Sequence, residues 1–340
     1  MKNKKWISLT AAVVLAVTTL PMGVLAAKKD RAEESFTKVT LNEVAHSIFY
    51  APQYVAIEEG YFAEEGLDLT LVTGFGADKT MTAVISGEAD IGFMGAEASI
   101  YAYQEGATDP VVNFAQLTQR AGNFLVAREQ MADFKWEDLK GKKVLGGRKG
   151  GMPEMVFEYI LRKNGLDPQK DLTIDQSIDF GSTAAAFTGD DSAEFTVEFE
   201  PSATLLEKEN AGYVVASLGV DSGYVPYTSY SAKTSYIDKN PQIIQKFTNA
   251  LQKGMEYVQN HTPEEIAQVI ASQFAETDLD TITTIVKRYH DQDTWKSDLI
   301  FEEESFELLE DILEEAGELK ERAEYKNLVN TEYARKAAEK

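Results

Sequence analysis

The chain has 340 residues, with 33 Lys or Arg against 56 Asp or Glu and a net charge of −23 with histidine neutral. A surface of that sign repels nucleic acid and anionic lipid, so neither is expected as a partner. The chain has no cysteine, which excludes disulfides and thiol chemistry.

Met1-Lys2-Asn3-Lys4-Lys5 is a basic start, followed by an apolar run from Trp6 to Ala26 that ends in Val24-Leu25-Ala26. This is the pattern of a secretory signal peptide over 1–26. A single membrane anchor is the alternative, weakened by Thr18, Thr19 and Pro21. With no lipobox cysteine near the cleavage point, the chain is expected to be exported to the periplasm, or to the outer face of the cytoplasmic membrane with a retained signal as tether. Residues 27–37 are polar and read as a flexible leader.

From Val39 to Gly106 the pattern is strand, helix, strand, helix, strand, helix. The turn His46-Ser47-Ile48-Phe49-Tyr50-Ala51-Pro52 follows the first strand. Gly74-Phe75-Gly76-Ala77-Asp78-Lys79 follows the second (Leu67–Val72), and the third emerges from Gly87-Glu88-Ala89-Asp90-Ile91-Gly92. Consecutive βαβ units imply a parallel sheet, and loops at the carboxyl ends of parallel strands are where small ligands sit. Further strands are expected at Val111–Leu117 and Asn123–Ala127. A second set follows at Val144–Leu145, Leu172–Ile174, Phe195–Phe199 and Tyr213–Ser217, with a return strand at Tyr227–Ala232. Beyond Pro241 the chain is helical: Ile243, Ile244, Phe247, Leu251 and Met255 recur at helical spacing, and Thr262 caps a helix opened by Pro263. The expected organisation is an α/β chain of two lobes, 38–125 plus 228–340 and 126–227. The lobes are joined by two crossings that act as a hinge.

Tyr50-Ala51-Pro52-Gln53-Tyr54-Val55-Ala56-Ile57-Glu58-Glu59-Gly60-Tyr61-Phe62, then Glu65-Gly66-Leu67-Asp68, and later Gly87–Gly92, resemble the solute-binding proteins of ABC importers. The branch is the SsuA-like one that includes aliphatic sulfonate, taurine, nitrate and thiamine-pyrimidine-precursor binders. The resemblance runs from about Val39 to Lys320. It implies the periplasmic-binding-protein type II fold, in which each lobe is a mixed, mainly parallel sheet flanked by helices, with a two-stranded hinge. It also implies a monomer with no catalytic residue and no cofactor, which captures a small-molecule ligand in the interlobe cleft and delivers it to a membrane permease. A thiamine-pyrimidine-type heterocycle is the leading ligand class, and an aliphatic sulfonate, taurine or nitrate-type oxyanion is the alternative. A more distant alternative is an enzyme like the yeast-type pyrimidine synthase. That enzyme requires a lysine just upstream of the histidine matching His46 and a cysteine-rich motif. Here there is no lysine from Val39 to Ile57 and no cysteine.

Candidate site residues cluster in the loops. Gly146-Gly147-Arg148-Lys149-Gly150-Gly151-Met152-Pro153-Glu154 joins a strand to a helix. Its amides and Arg148 suit an anion, or it is a tight turn without ligand contact. Gly150-Gly151-Met152 stands where a nucleotide-hydrolase phosphate loop needs Gly-Lys-Ser/Thr, so that chemistry is rejected. The resemblance places ligand contacts at Phe75 and Asp78, the latter alternatively a helix cap. Glu97 begins a helix and either complements its dipole or reaches the ligand. His46 and Tyr50 match the His-x-x-x-Tyr spacing of the thiamine-pyrimidine branch, with Ser47 and Phe49 in the same turn. A ring at this turn stacks on or hydrogen-bonds to a planar heterocycle, or is a buried, satisfied histidine. Glu200, before Pro201, matches the family's acidic residue and suits a ligand with N–H donors. Phe49, Tyr50, Phe75, Phe93, Tyr224, Tyr227 and Tyr230 fall in or near cleft loops. No His or Cys pair has metal spacing, so no metal site is expected.

Overall fold

The described residues form ten strands, most of them separated by helices: β1 (Thr37–Glu43), β2 (Leu67–Thr73), β3 (Ile91–Gly95), β4 (Val111–Thr118), β5 (Asn123–Ala127), β6 (Lys143–Leu145), β7 (Thr173–Asp175), β8 (Phe195–Phe199), β9 (Tyr213–Ser217) and β10 (Thr228–Lys233). The computed structural model describes residues 36–178 and 181–339. The expected signal peptide and nearly all of the leader lie outside the described residues.

The strands form two five-stranded sheets, β2-β1-β3-β10-β4 and β7-β6-β8-β5-β9. The two orders follow one pattern. β1 pairs parallel with β2 and β3, as β6 does with β7 and β8, and each sheet then accepts one antiparallel strand in its fourth position, β10 in the first and β5 in the second. The antiparallel strands are those that enter from the other lobe. The chain therefore passes between sheets twice, from β4 into β5 and from β9 towards β10. This is the expected mixed α/β architecture, two helix-flanked sheets joined by two crossings.

Burial explains the strand sequences. Every residue of β3, β4 and β5 is buried, so these strands carry near-continuous apolar runs, as strands covered on both faces must. β2 lies at the sheet edge and alternates, with Leu67 buried and Asp68 and Thr70 exposed. Phe93 of β3 stacks on Tyr230 of β10 with ring centroids 4.2 Å apart, and Phe247 meets Tyr230 edge-on at 5.5 Å. Phe247 belongs to the helix Pro241–Asn260, which lays its apolar face on the first lobe. Thr262 caps the next helix as expected: its hydroxyl accepts from the Glu265 amide at 3.3 Å, and the Glu265 carboxylate accepts from the Thr262 amide at 2.9 Å. Two short helices, Leu218–Ser222 and Thr234–Lys239, were not foreseen. Each spans under two turns, too short for a periodic apolar pattern to register.

Because β5 and β10 run against their neighbours, their first residues lie at the same sheet edges as the carboxyl ends of the other strands. Those edges carry the loops that line the cleft.

Candidate ligand-binding site

A cleft of 580 Å³ is lined from both lobes. The first lobe contributes the turn after β1 (Val44–Ser47 and Tyr50), the turn after β2 (Phe75–Lys79), Gly95 and Glu97 after β3, and Tyr227 and Thr228 at the start of β10. The second contributes the glycine-rich turn after β6, Gly181–Thr183, and Val197–Ser202 at the end of β8. Of the residues expected in the site, His46, Ser47, Tyr50, Phe75, Asp78, Glu97, Arg148, Gly151, Met152, Glu200 and Tyr227 line this cleft. Phe49 and Gly150 do not.

Glu97 is 3% exposed and opens the helix Glu97–Gln104. Burial pushes its carboxyl up to about 7, against the opposing effect of its own amide, the Met152 amide and the Arg148 charge. Met152 is the first residue of the second lobe's helix Met152–Lys163. The helix start that reads in sequence as an anion cradle therefore already meets an anion, the chain's own Glu97 from the other lobe. The flanking cations are engaged in the same way, Arg148 by Asp78 at 3.4 Å and Lys149 by Glu318 at 3.3 Å. Other amides of the turn are spent internally. Gly150 donates to Glu154 at 3.2 Å and Gly151 to the Arg148 carbonyl at 3.3 Å. Glu97 Oε2 and the Tyr227 hydroxyl, both buried, have no hydrogen-bond partner among the described residues.

Glu200 does not offer the free carboxylate expected of it. Its Oε1 accepts from Arg288 at 2.6 Å and from the Thr204 hydroxyl at 2.9 Å, and its Oε2 accepts from the Thr204 amide at 2.9 Å. Arg288 lies on the helix Leu279–Asp291 and also donates to Glu207 at 2.7 Å. Sequence motifs do not show that a residue nearly ninety positions away consumes this acid. Glu198, two residues earlier, was missed. It is 2% exposed, lines the cleft, and is pushed up to about 7 by burial. The available signal was a Glu inside a buried strand, where an acid is costly without a purpose.

The NMT1/THI5-like family matches residues 48–266. The chain belongs to this family. YtlA of Bacillus subtilis (strain 168), named as a candidate binding protein, is 48% identical over 332 residues, covering 98% of each chain. The riboflavin-binding protein RibY of Chloroflexus aurantiacus is 24% identical over 252 residues, 73% of this chain and 70% of RibY. A 4-amino-5-hydroxymethyl-2-methylpyrimidine phosphate synthase of Aspergillus parasiticus is 25% identical over 224 residues, 62% of this chain and 63% of that one. In fold, the chain matches the alkanesulfonate-binding protein SsuA of Xanthomonas axonopodis pv. citri, bound to MOPS. The TM-score is 0.70 at 15% identity, covering 87% of this chain and 98% of that one.

In this NMT1/THI5-like chain the histidine of the first turn is already employed. His46 Nδ1 lies 2.8 Å from Glu43 Oε1 and Nε2 lies 2.8 Å from the Gln273 carbonyl oxygen. Both ring nitrogens are therefore within hydrogen-bond distance of an oxygen of the chain. The Glu43 bond raises the His46 pKa against the opposing effect of burial. Glu43, fully buried, also accepts from Gln53, Tyr54 and Thr73. Neither nitrogen of His46 is left for a heterocycle. Phe49 is buried among Tyr50, Phe199, Tyr227 and Tyr289, so it supports the cleft wall from behind. Phe93 and Tyr230 belong to the core. Tyr224 lies outside the cleft, beneath Arg120, and donates to Asp293 at 2.6 Å. Among the described residues, the Phe and Tyr side chains that line the cleft are Tyr50, Phe75, Phe199 and Tyr227. Phe75 is 72% exposed with φ +56, a left-handed conformation uncommon for a bulky residue.

Proposed function

We propose that the protein is the exported solute-binding component of an ABC importer. In this reading it is a monomer that takes a small planar nitrogen heterocycle of the thiamine-pyrimidine kind into the interlobe cleft, closes on it, and delivers it to a membrane permease without chemical change. The observation that carries this reading is the buried Glu97 carboxyl, whose Oε2, like the Tyr227 hydroxyl in the same cleft lining, has no hydrogen-bond partner among the described residues. A carboxylate is an acceptor that waits for an N–H donor. The Tyr50, Phe199 and Tyr227 rings in the same wall suit a flat ligand. RibY's name, a riboflavin binder's, and the pyrimidine named in the fungal synthase are both nitrogen heterocycles.

The oxyanion alternative rests on the SsuA likeness and on Arg148. It is disfavoured because Met152's amide, Arg148 and Lys149 each already face a carboxylate of the chain. A synthase role is disfavoured because the chain has no cysteine and no lysine between Val39 and Ile57.

A melting-temperature panel tests the proposal. Ligand at 100 times its Kd stabilises a folded protein by about 2.7 kcal/mol. Aminopyrimidines are expected to raise the melting temperature, and alkanesulfonates, taurine and nitrate to leave it unchanged. A response to sulfonates with none to pyrimidines would replace this ligand class with the oxyanion one.

A further inference from the structure

Glu198 lines the cleft from the second lobe, whereas Glu97 lines it from the first. It is 2% exposed, and its two oxygens each take one hydroxyl: Oε1 from Thr196 at 2.6 Å and Oε2 from Thr183 at 3.0 Å. A carboxylate has about four acceptor positions, so these neighbours leave part of its capacity unused. Glu200, the other buried acid that lines the cleft from this lobe, is paired with Arg288, whereas the buried Glu154, which does not line the cleft, accepts from the Gly150 amide and from Gln176. No Lys, Arg or His forms an ion pair with Glu198 among the described residues. A buried acid without a counter-charge is expensive, and in a ligand cleft the missing partner is supplied by the ligand.

We propose that Glu198 is a second ligand-reading acid. It accepts from an N–H edge of the heterocycle other than the edge read by Glu97, so the ligand carries donors, or positive charge, towards both lobes. This rests on the heterocycle reading above and narrows it. A ring with a single donor edge satisfies one lobe only, whereas a ring with two is held by both and ties lobe closure to its presence. Thr183 and Thr196 then orient the carboxylate, each donating to one oxygen and leaving the other lone pairs for the cleft.

Isothermal titration calorimetry tests it, with a matched pair of compounds: 2,4-diamino-5-hydroxymethylpyrimidine, which carries N–H donors on two edges of the ring, and 4-amino-5-hydroxymethyl-2-methylpyrimidine, which carries them on one. Both are titrated into the wild-type protein, Glu198→Gln and Thr183→Val, each first checked for a cooperative melt. The wild type is expected to prefer the diamino compound at least tenfold. Glu198→Gln is expected to lose that preference while still melting cooperatively, because Gln keeps the shape and an acceptor for the hydroxyls. Thr183→Val is expected to bind both compounds more weakly, because the carboxylate loses one of its orienting hydroxyls, while keeping part of the preference, since the charged acceptor remains. Wild-type preference that persists in Glu198→Gln overturns the role of Glu198 and leaves the heterocycle reading standing. Equal loss in Glu198→Gln and Thr183→Val reduces Glu198 to a tie between β8 and the Thr183–Gly189 helix, and also overturns it. Binding of neither compound by the wild type removes the heterocycle reading and this inference together. If Glu198→Gln fails to melt cooperatively, the Glu198→Asp variant is titrated instead. Keeping the charge on a shorter arm, it is expected to retain the preference with weaker affinity, and loss of the preference there counts against the assignment.

Discussion

Glu97 is the residue on which the ligand reading turns, and its environment makes a stability prediction independent of any ligand. Its carboxyl moves from 4.5 in water to about 7 in the fold, mainly through burial. A raised carboxyl favours the folded state while protonated. The contribution is complete below pH 4.5 and is lost as pH rises through about 7, a difference of about 3 kcal/mol well above that pH. Glu97→Gln is therefore expected to stabilise the ligand-free protein by about 2–3 kcal/mol at pH 8.5 and to change little at pH 4.5, measured by urea unfolding. Equal effects at both pH values would show that Glu97 is not buried as an acid. The same substitution is expected to weaken aminopyrimidine binding by at least tenfold, since a buried donor edge would lose its charged acceptor. This residue was legible in sequence as a helix-start acid on a cleft loop. Glu200 and His46 were legible as matches to a family pattern, but their partners were not. Arg288 and the Gln273 carbonyl come from helical segments remote in sequence, and only the folded chain shows that they consume those side chains.

At the scale of elements, two contacts hold the cleft's supports in place. Gly254 lies in the helix Pro241–Asn260 where it crosses Ala51–Glu58, and a Cβ there would sit 2.3 Å from the Pro52 carbonyl oxygen. That neighbour is backbone and cannot swing aside, so Gly254→Ala is expected to cost about 1–3 kcal/mol by forcing the helices apart; an unchanged denaturant midpoint would argue against this close crossing. Arg288 ties the helix Leu279–Asp291 of the first lobe to Glu200 and Glu207 of the second. Arg288→Ala strands the fully buried Glu200 carboxylate, and breaking such a pair is expected to cost about 3 kcal/mol. Glu200→Ala thus acts first on stability, and any loss of ligand affinity in that variant is read against its unfolding curve. Strands and long helices were legible because period-2 and period-3.6 patterns extend over enough residues to register. The pairing of β10 beside β3 was not, since Thr228-Ser229-Tyr230-Ser231 alternates like a strand without naming its neighbour.

At the scale of the molecule, several contacts close the cleft: Arg148 with Asp78, Lys149 with Glu318, the Tyr101 hydroxyl donating to the Gly150 carbonyl at 3.0 Å, and the Ser47 hydroxyl donating to the Glu200 carbonyl at 3.4 Å. The ion pairs at Arg148 and Lys149 are largely exposed, and exposed pairs contribute about 0–1 kcal/mol each. Stability should also follow pH globally. Glu97 and Glu198 are raised to about 7 and Glu154 to about 8, and His46 is raised as well. Each contributes fully below its unfolded value, the carboxyls below about 4.5 and His46 below about 6.5, and loses that contribution as pH rises through the folded value. Asp278, lowered to about 2, acts in the opposite sense, but its contribution is already complete by pH 5. The ligand-free melting temperature is therefore expected to fall between pH 5 and pH 8.5; a rise over that interval would contradict the assignment of the buried acids. The most direct test of the central claim, an acceptor-lined cleft that captures a donor-bearing heterocycle, is native mass spectrometry of the protein purified without dialysis from the cells that make it. A retained, unmodified, nitrogen-rich small molecule that is lost from Glu97→Gln is expected. A retained sulfonate or other oxyanion, or a covalent adduct, would contradict that claim.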